Sequence, residues 1–408
     1  MPPKLALSLA AVASLHAWQR HAGPTSQLSH RQVRFRGPYS PRCSVCCSGE
    51  AEPHARARAR QPSARTKLDK VEDFVREGPL YKKLLLCSSP PSSVEWLRHG
   101  KVVVEMLRDR EVGASALPED LGDKMSRRIY HLYLPIFYWM RQQMLELRAA
   151  KELRGERSQT ICFGVSAPQG CGKTTMTSLL QTLFRSDGLS CESLSIDDFY
   201  IPASRLKAVS DLNPENPLMQ TRGNAGTHDV QLGIETLQAL RTFKEDEVAL
   251  PRYDKSAHDG SGDQVPRANW EHAHTPCDVV LLEGWMLGFK PKSEAEVARI
   301  HPGLVLVNQK LKDYQAWDDQ IDSFCVFAVD DIDQVYAWRQ QAETEMKQTR
   351  GAGMTPEAVK KFIDNYMPAY AAYRRDLYEA AQGGGVDRKP SLLCWVGPDR
   401  LPYDESDV

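Results

Sequence analysis

One segment of the chain combines residue types and spacing suited to binding phosphates. From Ile161 it reads Ile-Cys-Phe-Gly-Val-Ser-Ala-Pro-Gln-Gly-Cys-Gly-Lys-Thr-Thr, an apolar run followed by a glycine-containing loop. In such a loop successive backbone N–H groups surround the phosphates, Lys173 reaches the β- and γ-phosphates, and the Thr174 hydroxyl binds Mg²⁺. The usual pattern opens with Gly where this chain has Ala167, which requires only a negative φ there. The predicted nucleotide-contacting residues are Ala167, Pro168, Gln169, Gly170, Cys171, Gly172, Lys173, Thr174 and Thr175.

Carboxylates follow two other predicted strands. Asp197 and Asp198 end the run that starts at Leu189, and Glu283 directly follows Val279–Leu282. Phosphoryl transfer needs a metal clamp on the phosphates and a carboxylate that accepts the proton of the attacking hydroxyl. Asp197 is therefore the predicted base, with Lys173 as the second catalytic residue. Glu283 and Thr174 are the predicted Mg²⁺ ligands, directly or through water.

An Asp-Asp pair also has a purely structural interpretation, because Asp is a preferred residue at the N-terminus of a helix. Asp198 fits that role, and it is also a candidate for contact with the acceptor.

Composition places the chain among ordinary soluble globular proteins. It has 408 residues, of which 26% are charged and 41% hydrophobic, with a formal net charge of −1. A near-zero charge provides no general attraction to nucleic acid or to an anionic membrane, so we expect neither partner. The ten cysteines are irregularly spaced, which favours thiols in a reducing compartment over a disulfide framework. Cys43, Cys46 and Cys47 resemble a metal or redox pair, but no second pair follows them.

The N-terminal segment has the composition of an organelle transit peptide. The first acidic residue is Glu50, and the preceding stretch is rich in Arg, Ser, Ala and Pro. The apolar run from Leu5 to Leu15 is too short to span a bilayer, although it could form the core of a signal peptide. We predict a transit peptide and disordered tail over residues 1–65, a helical region over 66–155 and the catalytic domain over 156–408.

Residues 67–157 show helical periodicity, with Leu68, Val71, Phe74 and Val75 on one face. A longer helix is predicted from Met125 to Arg154, with a kink at Pro135 because proline lacks the N–H of the helical ladder.

After residue 157, short apolar runs alternate with helical segments, which predicts an α/β fold with a mostly parallel sheet covered by helices. A helix from Lys173 to Ser186 would place its positive end at the phosphate site. The stretch from Pro202 to Thr275 is polar and is predicted to be a long functional loop region. The five predicted strands are Thr160–Val165, Leu189–Ile196, Val279–Leu282, Phe324–Val329 and Leu392–Val396.

These motifs resemble known kinases. The phosphate loop, Asp197-Asp-Phe-Tyr200, Pro251-Arg-Tyr-Asp254 and Leu-Leu-Glu-Gly284 are similar in type to the phosphoribulokinase, uridine kinase and pantothenate kinase group of P-loop kinases. More closely, the chain from about residue 67 onward resembles the plant-type glycerate 3-kinase family. The segments that carry this resemblance are the phosphate loop, Thr221–Asp229, Tyr253–Asp263, Glu283–Phe289 and Trp338–Glu343.

The resemblance implies phosphorylation of the 3-hydroxyl of D-glycerate by ATP with Mg²⁺, in the chloroplast stroma, as the closing step of photorespiration. It also assigns the base to Asp197. Arg339, in the helix Val335–Lys347, lies where the wider kinase group has a lid over the phosphates, which makes it a candidate nucleotide-binding residue; a solvated helix face is the competing interpretation. The acceptor is a small anion with two hydroxyls, so its site requires cations and hydrogen-bonding groups. Candidates are Asp198, Tyr200, Arg222, His228, Asp229, Arg252, Tyr253, Asp254, Lys255 and His258.

Arg222 and Arg252 are the favoured ligands for the acceptor carboxylate, because a guanidinium binds it through two parallel hydrogen bonds. The chain is expected to be a monomer. Two alternatives stay open: another small-molecule kinase, such as a uridine or pantothenate kinase, and a nucleotide-binding protein without acceptor chemistry. Cys171 lies beside Lys173 at a helix N-terminus, a setting that lowers a thiol pKa and predicts a reactive thiolate. The competing interpretation is a small residue tolerated in a tight loop.

Overall fold

The computed structural model describes residues 66–84, 90–108, 115–242, 244–258, 260–350 and 354–404. The predicted transit peptide and tail over residues 1–65, including the three neighbouring cysteines at 43–47, lie outside the described residues.

The central element is a five-stranded parallel sheet with the order β2-β7-β1-β8-β9. Its strands are β1 Ile161–Ser166, β2 Cys191–Ser195, β7 Val279–Gly284, β8 Ser323–Ala328 and β9 Ser391–Trp395. Strands β1, β7 and β8 are buried along their whole length because helices cover both faces of the sheet. The predicted fold class is confirmed, and each of the five predicted strands lies within two residues of its predicted bounds.

Fourteen α-helices occur in the described part of the chain. They are α1 Lys67–Arg76, α2 Tyr81–Leu84, α3 Ser93–Leu107, α4 Pro118–Leu121, α5 Asp123–Arg127, α6 Leu134–Leu153, α7 Lys173–Ser186, α8 Ala203–Leu212, α9 Val230–Leu240, α10 Glu294–Ile300, α11 Leu304–Asp318, α12 Gln334–Arg350, α13 Pro356–Asp364 and α14 Met367–Gln382. None of the described helices is long and apolar enough to cross a membrane.

The helices preceding the sheet begin at clear capping signals. Thr66 with Asp69 caps α1, and Ser92 with Glu95 caps α3, each through a reciprocal capping box. The predicted interruption near Pro135 takes the form of a π-helical segment, Arg128–Tyr133, directly before α6. A wider turn here accommodates the missing proline N–H.

Two hydrophobic cores lie on opposite faces of the sheet. One contains Phe163 and Val165 of β1 together with side chains of α1, α3, α6 and α7. The other contains Val280 and Leu282 of β7 together with side chains of α9, α11 and α14. The helical region before the sheet therefore shares a core with the phosphate-loop strand. The predicted boundary at residue 155 stays a prediction.

The stretch from Pro202 to Thr275 is more ordered than the sequence predicted. It contains α8 and α9, an antiparallel pair formed by β3 Glu247–Leu250 and β6 Glu271–His274, and a short pair formed by β4 Tyr253–Asp254 and β5 Asp263–Gln264. Helix α8 has no buried residue and β4 and β5 have two residues each, so hydrophobic periodicity gives little signal there. The prediction of a long irregular region was wrong in this respect.

Candidate active site

The phosphate loop has the backbone that its glycines permit. Gly170 and Gly172 have φ values of +79° and +99°, in the left-handed region, whereas Ala167 does not. A Cβ atom at Gly170 would lie 2.6 Å from the Cβ of Trp338, so this loop packs closely against α12. Gly172 is the N-cap of α7, whose free N–H groups point into the loop. The predicted helix over Lys173–Ser186 is confirmed at both ends.

Lys173, Thr174 and Glu283 meet at the end of this loop. The Lys173 ammonium donates to the carbonyl of Pro168 at 3.3 Å, and the Thr174 hydroxyl donates to Oε1 of Glu283 at 3.2 Å. Glu283 is 5% exposed, and its Oε2 has no hydrogen-bond partner among the described residues. Burial raises the pKa of Glu283, although the Lys173 charge counteracts it.

This group of residues fits Mg²⁺. A hydroxyl and a buried carboxylate with one unpaired oxygen are hard oxygen ligands, and Mg²⁺ in kinases is held by one or two protein groups together with the phosphates of the substrate. Among the described residues, no group of three or more His, Cys, Asp or Glu side chains is arranged so that it could hold a metal ion by itself.

Asp197 lies one strand away, in the 3₁₀ turn Ile196–Phe199 that follows β2. The register of β2 and β7 pairs Ser195 with Glu283, which brings the turn next to the metal ligands. The Lys255 ammonium donates to Oδ2 of Asp197 at 2.5 Å. Burial opposes ionisation of this carboxyl, but Lys255 outweighs burial and holds the pKa of Asp197 at about 2. Asp197 is therefore a carboxylate at any physiological pH.

Asp198 has a different environment. Its Oδ2 accepts from the backbone N–H of Ser195 at 2.8 Å, which makes it the third residue of a capping box, and it contacts Arg252 at 3.4 Å. Burial raises the pKa of Asp198 to about 6. The structural role considered from sequence is therefore present, and the predicted contact of Asp198 with the acceptor stays a prediction.

Tyr200 and His228 form a buried wall beside Asp197. Their rings stack at 4.3 Å between centroids, and His228 Nδ1 is 2.7 Å from the Tyr314 hydroxyl. Burial lowers the pKa of His228 to about 3, so the ring is neutral, and its Nε2 is buried without a partner among the described residues. The Tyr200 hydroxyl is hydrogen-bonded to Asp197, which raises the tyrosine pKa further beyond the effect of burial. Tyr200 and His228 therefore lie beside the Asp197 carboxylate and influence its pKa.

The loop between β4 and β5 carries Lys255 and is fastened by Arg222. The Arg222 guanidinium donates to the carbonyls of Gly260, Ser261 and Lys255 and lies 5.6 Å from the centre of the Tyr253 ring. Much of its donor capacity is thus used within the protein. These contacts position the loop that carries Lys255, and the predicted contact of Arg222 with a substrate carboxylate stays a prediction.

Several other predicted acceptor ligands lie in structural contacts. Asp229 caps α9 and pairs with Arg205 at 3.2 Å, and Arg252 lies between Asp198 and Glu271. Exposed Asp254 accepts from the N–H and hydroxyl of Ser256, and His258 contacts Asp263 at 3.1 Å. Asp197, Tyr200, His228, Lys255 and Glu283 converge, whereas the contacts of Asp229, Asp254 and His258 are with other protein groups, and their predicted contact with the acceptor stays a prediction.

Arg339 lies on α12 directly after Trp338, which touches the phosphate loop. Its guanidinium pairs with buried Glu343 and lies 5.0 Å from the Phe362 ring centre, and its Nε has no partner among the described residues. The predicted lid function of Arg339 stays a prediction.

Comparison with known proteins decides the family. "D-glycerate 3-kinase, chloroplastic" of Arabidopsis thaliana is 38% identical to this chain over 322 residues, which are 78% of this chain and 69% of the plant protein. The chain belongs to the D-glycerate 3-kinase family. The solved structure of "D-glycerate 3-kinase" from Cryptococcus neoformans is 30% identical and has a TM-score of 0.58, covering 66% of this chain and 97% of the fungal chain. No family model matches.

A third relative, "Uncharacterized kinase mug58" of Schizosaccharomyces pombe, is 38% identical over 221 residues, which are 52% of this chain and 80% of the yeast protein. Family membership confirms the predicted class of enzyme, a P-loop kinase that transfers phosphate to an alcohol.

Some residues that shape the site of this D-glycerate 3-kinase family member were not predicted. The Tyr370 hydroxyl accepts from the backbone N–H of Gln169 at 3.0 Å, and the Tyr366 hydroxyl donates to the carbonyl of Arg222 at 3.3 Å. Tyr366 is the N-cap of α14 and Tyr370 lies four residues later in its first turn, a spacing that cannot be distinguished in a sequence from ordinary core packing. Arg400 donates to the carbonyl of Gly170 at 2.7 Å, and its position just beyond β9 was the signal that could have identified it.

Cys171 corrects an expectation. The thiol is 8% exposed, and burial raises its pKa to about 12 in spite of the nearby Lys173. The prediction of a low pKa was wrong because the helix N-terminus and the lysine act on a thiol that the core has already taken out of water. A small apolar residue in a tight loop is the interpretation that the geometry supports.

Proposed function

We propose that this chain transfers the γ-phosphate of ATP to the 3-hydroxyl of D-glycerate, giving 3-phosphoglycerate and ADP. The main support for the proposal is the position and charge of Asp197. Lys255 keeps this carboxylate ionised, and Asp197 lies at the end of β2, next to Glu283 and the phosphate loop. Family membership supplies the acceptor, since the plant and fungal relatives are both named D-glycerate 3-kinase.

In the proposed reaction the 3-oxygen of D-glycerate forms the new bond to the γ-phosphorus. The bond from that phosphorus to the β,γ-bridging oxygen breaks, and its electron pair leaves with ADP. Asp197 Oδ accepts the hydroxyl proton. A pKa of about 2 makes Asp197 a weak base, so its main contribution is to orient the hydroxyl and to take the proton late, as suits a loose transition state.

Charge neutralisation is assigned to the phosphate-loop side. Lys173 would stabilise the negative charge that develops between the β- and γ-phosphates. The N–H groups at the start of α7 would donate hydrogen bonds to the phosphate oxygens. Thr174 and Glu283 would hold Mg²⁺, which supplies Lewis-acid stabilisation of the phosphates when bound.

The acceptor would occupy the space bounded by Asp197, Tyr200, Lys255 and Tyr253. The Lys255 side chain is 58% exposed although it pairs with Asp197, so its ammonium can also contact the carboxylate of an incoming acceptor. Arg222 holds the carbonyl of Lys255 and thereby the position of this cation. A uridine or pantothenate site would need room for a much larger acceptor.

The proposed location is the chloroplast stroma, with the reaction serving photorespiration. Two observations support it: residues 1–49 contain no acidic residue, and the plant relative is named as chloroplastic.

One assay tests the acceptor. ADP release is followed in a coupled reaction with D-glycerate, uridine, pantothenate and ribulose 5-phosphate, each at several concentrations. The proposal expects turnover with D-glycerate alone, and ³¹P NMR should identify the product as the 3-phosphate. Faster turnover with another acceptor, or formation of the 2-phosphate, would reject it.

A further inference from the structure

A cavity of about 460 Å³ lies beside the phosphate loop, on the side of the helices that precede the sheet. Its floor consists of Cys171, Gly172, Lys173 and Thr175, so it is continuous with the proposed phosphate site. The volume lies within the usual range for small-ligand pockets.

One wall of this cavity comes from the helical region before residue 155. Leu107, Met125 and Leu132 present apolar surface, and the π-helical segment adds Arg128 and Tyr133. The π-turn directly precedes Pro135, and wider turns of this kind are often found at functional sites. The opposite wall consists of Gln341, Ala342, Glu345 and Arg400.

Two guanidinium groups share the rim of the cavity. Arg400 donates to the carbonyl of Gly170, while Arg128 approaches the carbonyl of Asp399 at 3.4 Å. Within the described residues neither arginine has a carboxylate at ion-pair distance, although Glu345 lines the same cavity. Burial and the neighbouring Arg128 both lower the pKa of Arg400. Like charges held together beside a phosphate loop favour an anionic ligand.

Arg400 also has an unusual backbone. Its φ is +62°, in the left-handed region that non-glycine residues seldom adopt. Such strain persists where surrounding bonds require it, and here Arg400 is held by Gly170 and by Gln341 at 2.9 Å.

We infer that the N-terminal helices form one wall of the nucleotide pocket. In this pocket the nucleobase of ATP contacts Met125 and Leu132, and Arg128 is a nucleotide-binding residue. The inference rests on the proposed use of ATP but is independent of the acceptor. The fungal structure leaves about a third of this chain without a counterpart. The alignment with the plant protein covers 78% of this chain, more than residues 156–408 supply, so it reaches into the N-terminal helices. The wall is therefore expected in the plant relative.

The test is direct titration of the full chain with Mg·ATP, without acceptor, by calorimetry. Arg128→Ala should weaken binding about tenfold, the scale of one hydrogen bond to a charged group. The matched control is Arg127→Ala, because Arg127 is the neighbouring arginine, half exposed and paired with Asp123 at the surface. The control should bind as wild type does. Unchanged affinity in Arg128→Ala, or equal losses in both variants, would overturn the inference.

A second experiment tests where the nucleobase of ATP binds. Met125→Ala should weaken Mg·ATP several-fold but leave inorganic tripolyphosphate unaffected; equal weakening of both would remove Met125 from the base site. Thermal unfolding checks each variant, and Arg128→Gln substitutes for Arg128→Ala if the latter does not fold. In the kinase assay the KM for ATP should rise in Arg128→Ala while the KM for D-glycerate stays unchanged. Because titration uses no acceptor, failure of the D-glycerate assignment alone would leave the binding result intact.

Discussion

Replacing Asp197 by Asn tests the proposed chemistry most directly. The amide keeps the size of the side chain and can still accept from Lys255, but it cannot take the proton of the acceptor hydroxyl. Loss of a positioned base costs about 10²- to 10⁴-fold in rate, and a hundredfold loss corresponds to about 2.7 kcal/mol of transition-state stabilisation. We expect kcat to fall at least a hundredfold. The KM for ATP should change little, because Lys173, Thr174 and Glu283 remain.

Asp198→Asn is the matched comparison, since it removes the same charge one residue away. An asparagine oxygen can still accept from the Ser195 N–H, so the capping turn is kept, and kcat should fall several-fold at most. The effect of this substitution on stability has a definite sign. The folded-state pKa of Asp198 is about 6, above its ordinary value of 3.8. The raised pKa therefore contributes to the stability of the wild type fully below pH 3.8, and this contribution is lost as the pH rises through 6. The shift corresponds to about 3 kcal/mol.

Two measurements decide the outcome. Coupled ADP release gives kcat and KM for both variants, and urea unfolding at pH 4.5 and pH 7.5 gives their stabilities. The free energy of unfolding of Asp198→Asn, relative to wild type, should be higher at pH 7.5 than at pH 4.5. If Asp198→Asn loses more activity than Asp197→Asn, the two roles are exchanged. Equal losses would mean that the turn as a whole, and not the Asp197 carboxylate, sets the rate.

Three further outcomes follow from the same geometry. Lys173→Ala should abolish turnover while the circular dichroism spectrum and melting temperature stay close to wild type; near-normal kcat in the folded variant would remove the ATP site from this loop. Lys255→Met removes the charge that holds the pKa of Asp197 at about 2, whereas burial, which raises this pKa, remains. The acid limb of the plot of kcat against pH should therefore shift to higher pH. An acid limb at the wild-type position would show that Lys255 does not control Asp197. Iodoacetamide should inactivate wild type and Cys171→Ser at equal rates, because the Cys171 thiol is buried and has a raised pKa. Resistance of Cys171→Ser would instead support the prediction that Cys171 is a reactive thiolate.

The sheet and the phosphate site were predictable because their signals are local. Continuous apolar runs can form only buried strands or buried helices, and glycines at fixed offsets from Lys173 specify the loop. Asp197 and Glu283 could be placed because the C-terminal ends of parallel strands lie at one edge of the sheet.

The acceptor side was only partly predictable, because its contacts join distant segments. Nothing in the sequence shows that the Arg222 guanidinium donates to the carbonyls of Gly260 and Ser261, or that Asp229 caps a helix. Cys171 illustrates a second limit. The charged neighbour of Cys171 is visible in the sequence, but the dominant influence on the thiol pKa is burial, which depends on the packing of the whole domain.

The two halves of the site are supported in physically different ways. Glu283 and the phosphate loop rest on buried strands, and their positions are fixed by the core on both faces of the sheet. Lys255 lies in the loop between the two-residue strands β4 and β5, and the half-buried Arg222 donates to three carbonyl groups of that loop. Phosphate binding is therefore expected to withstand substitutions in the loop, whereas acceptor binding at the proposed site is expected to be sensitive to them. Because the loop supplies the cation that lowers the pKa of Asp197, we expect substitutions in the loop, more than in the sheet, to alter which acceptor the proposed site takes.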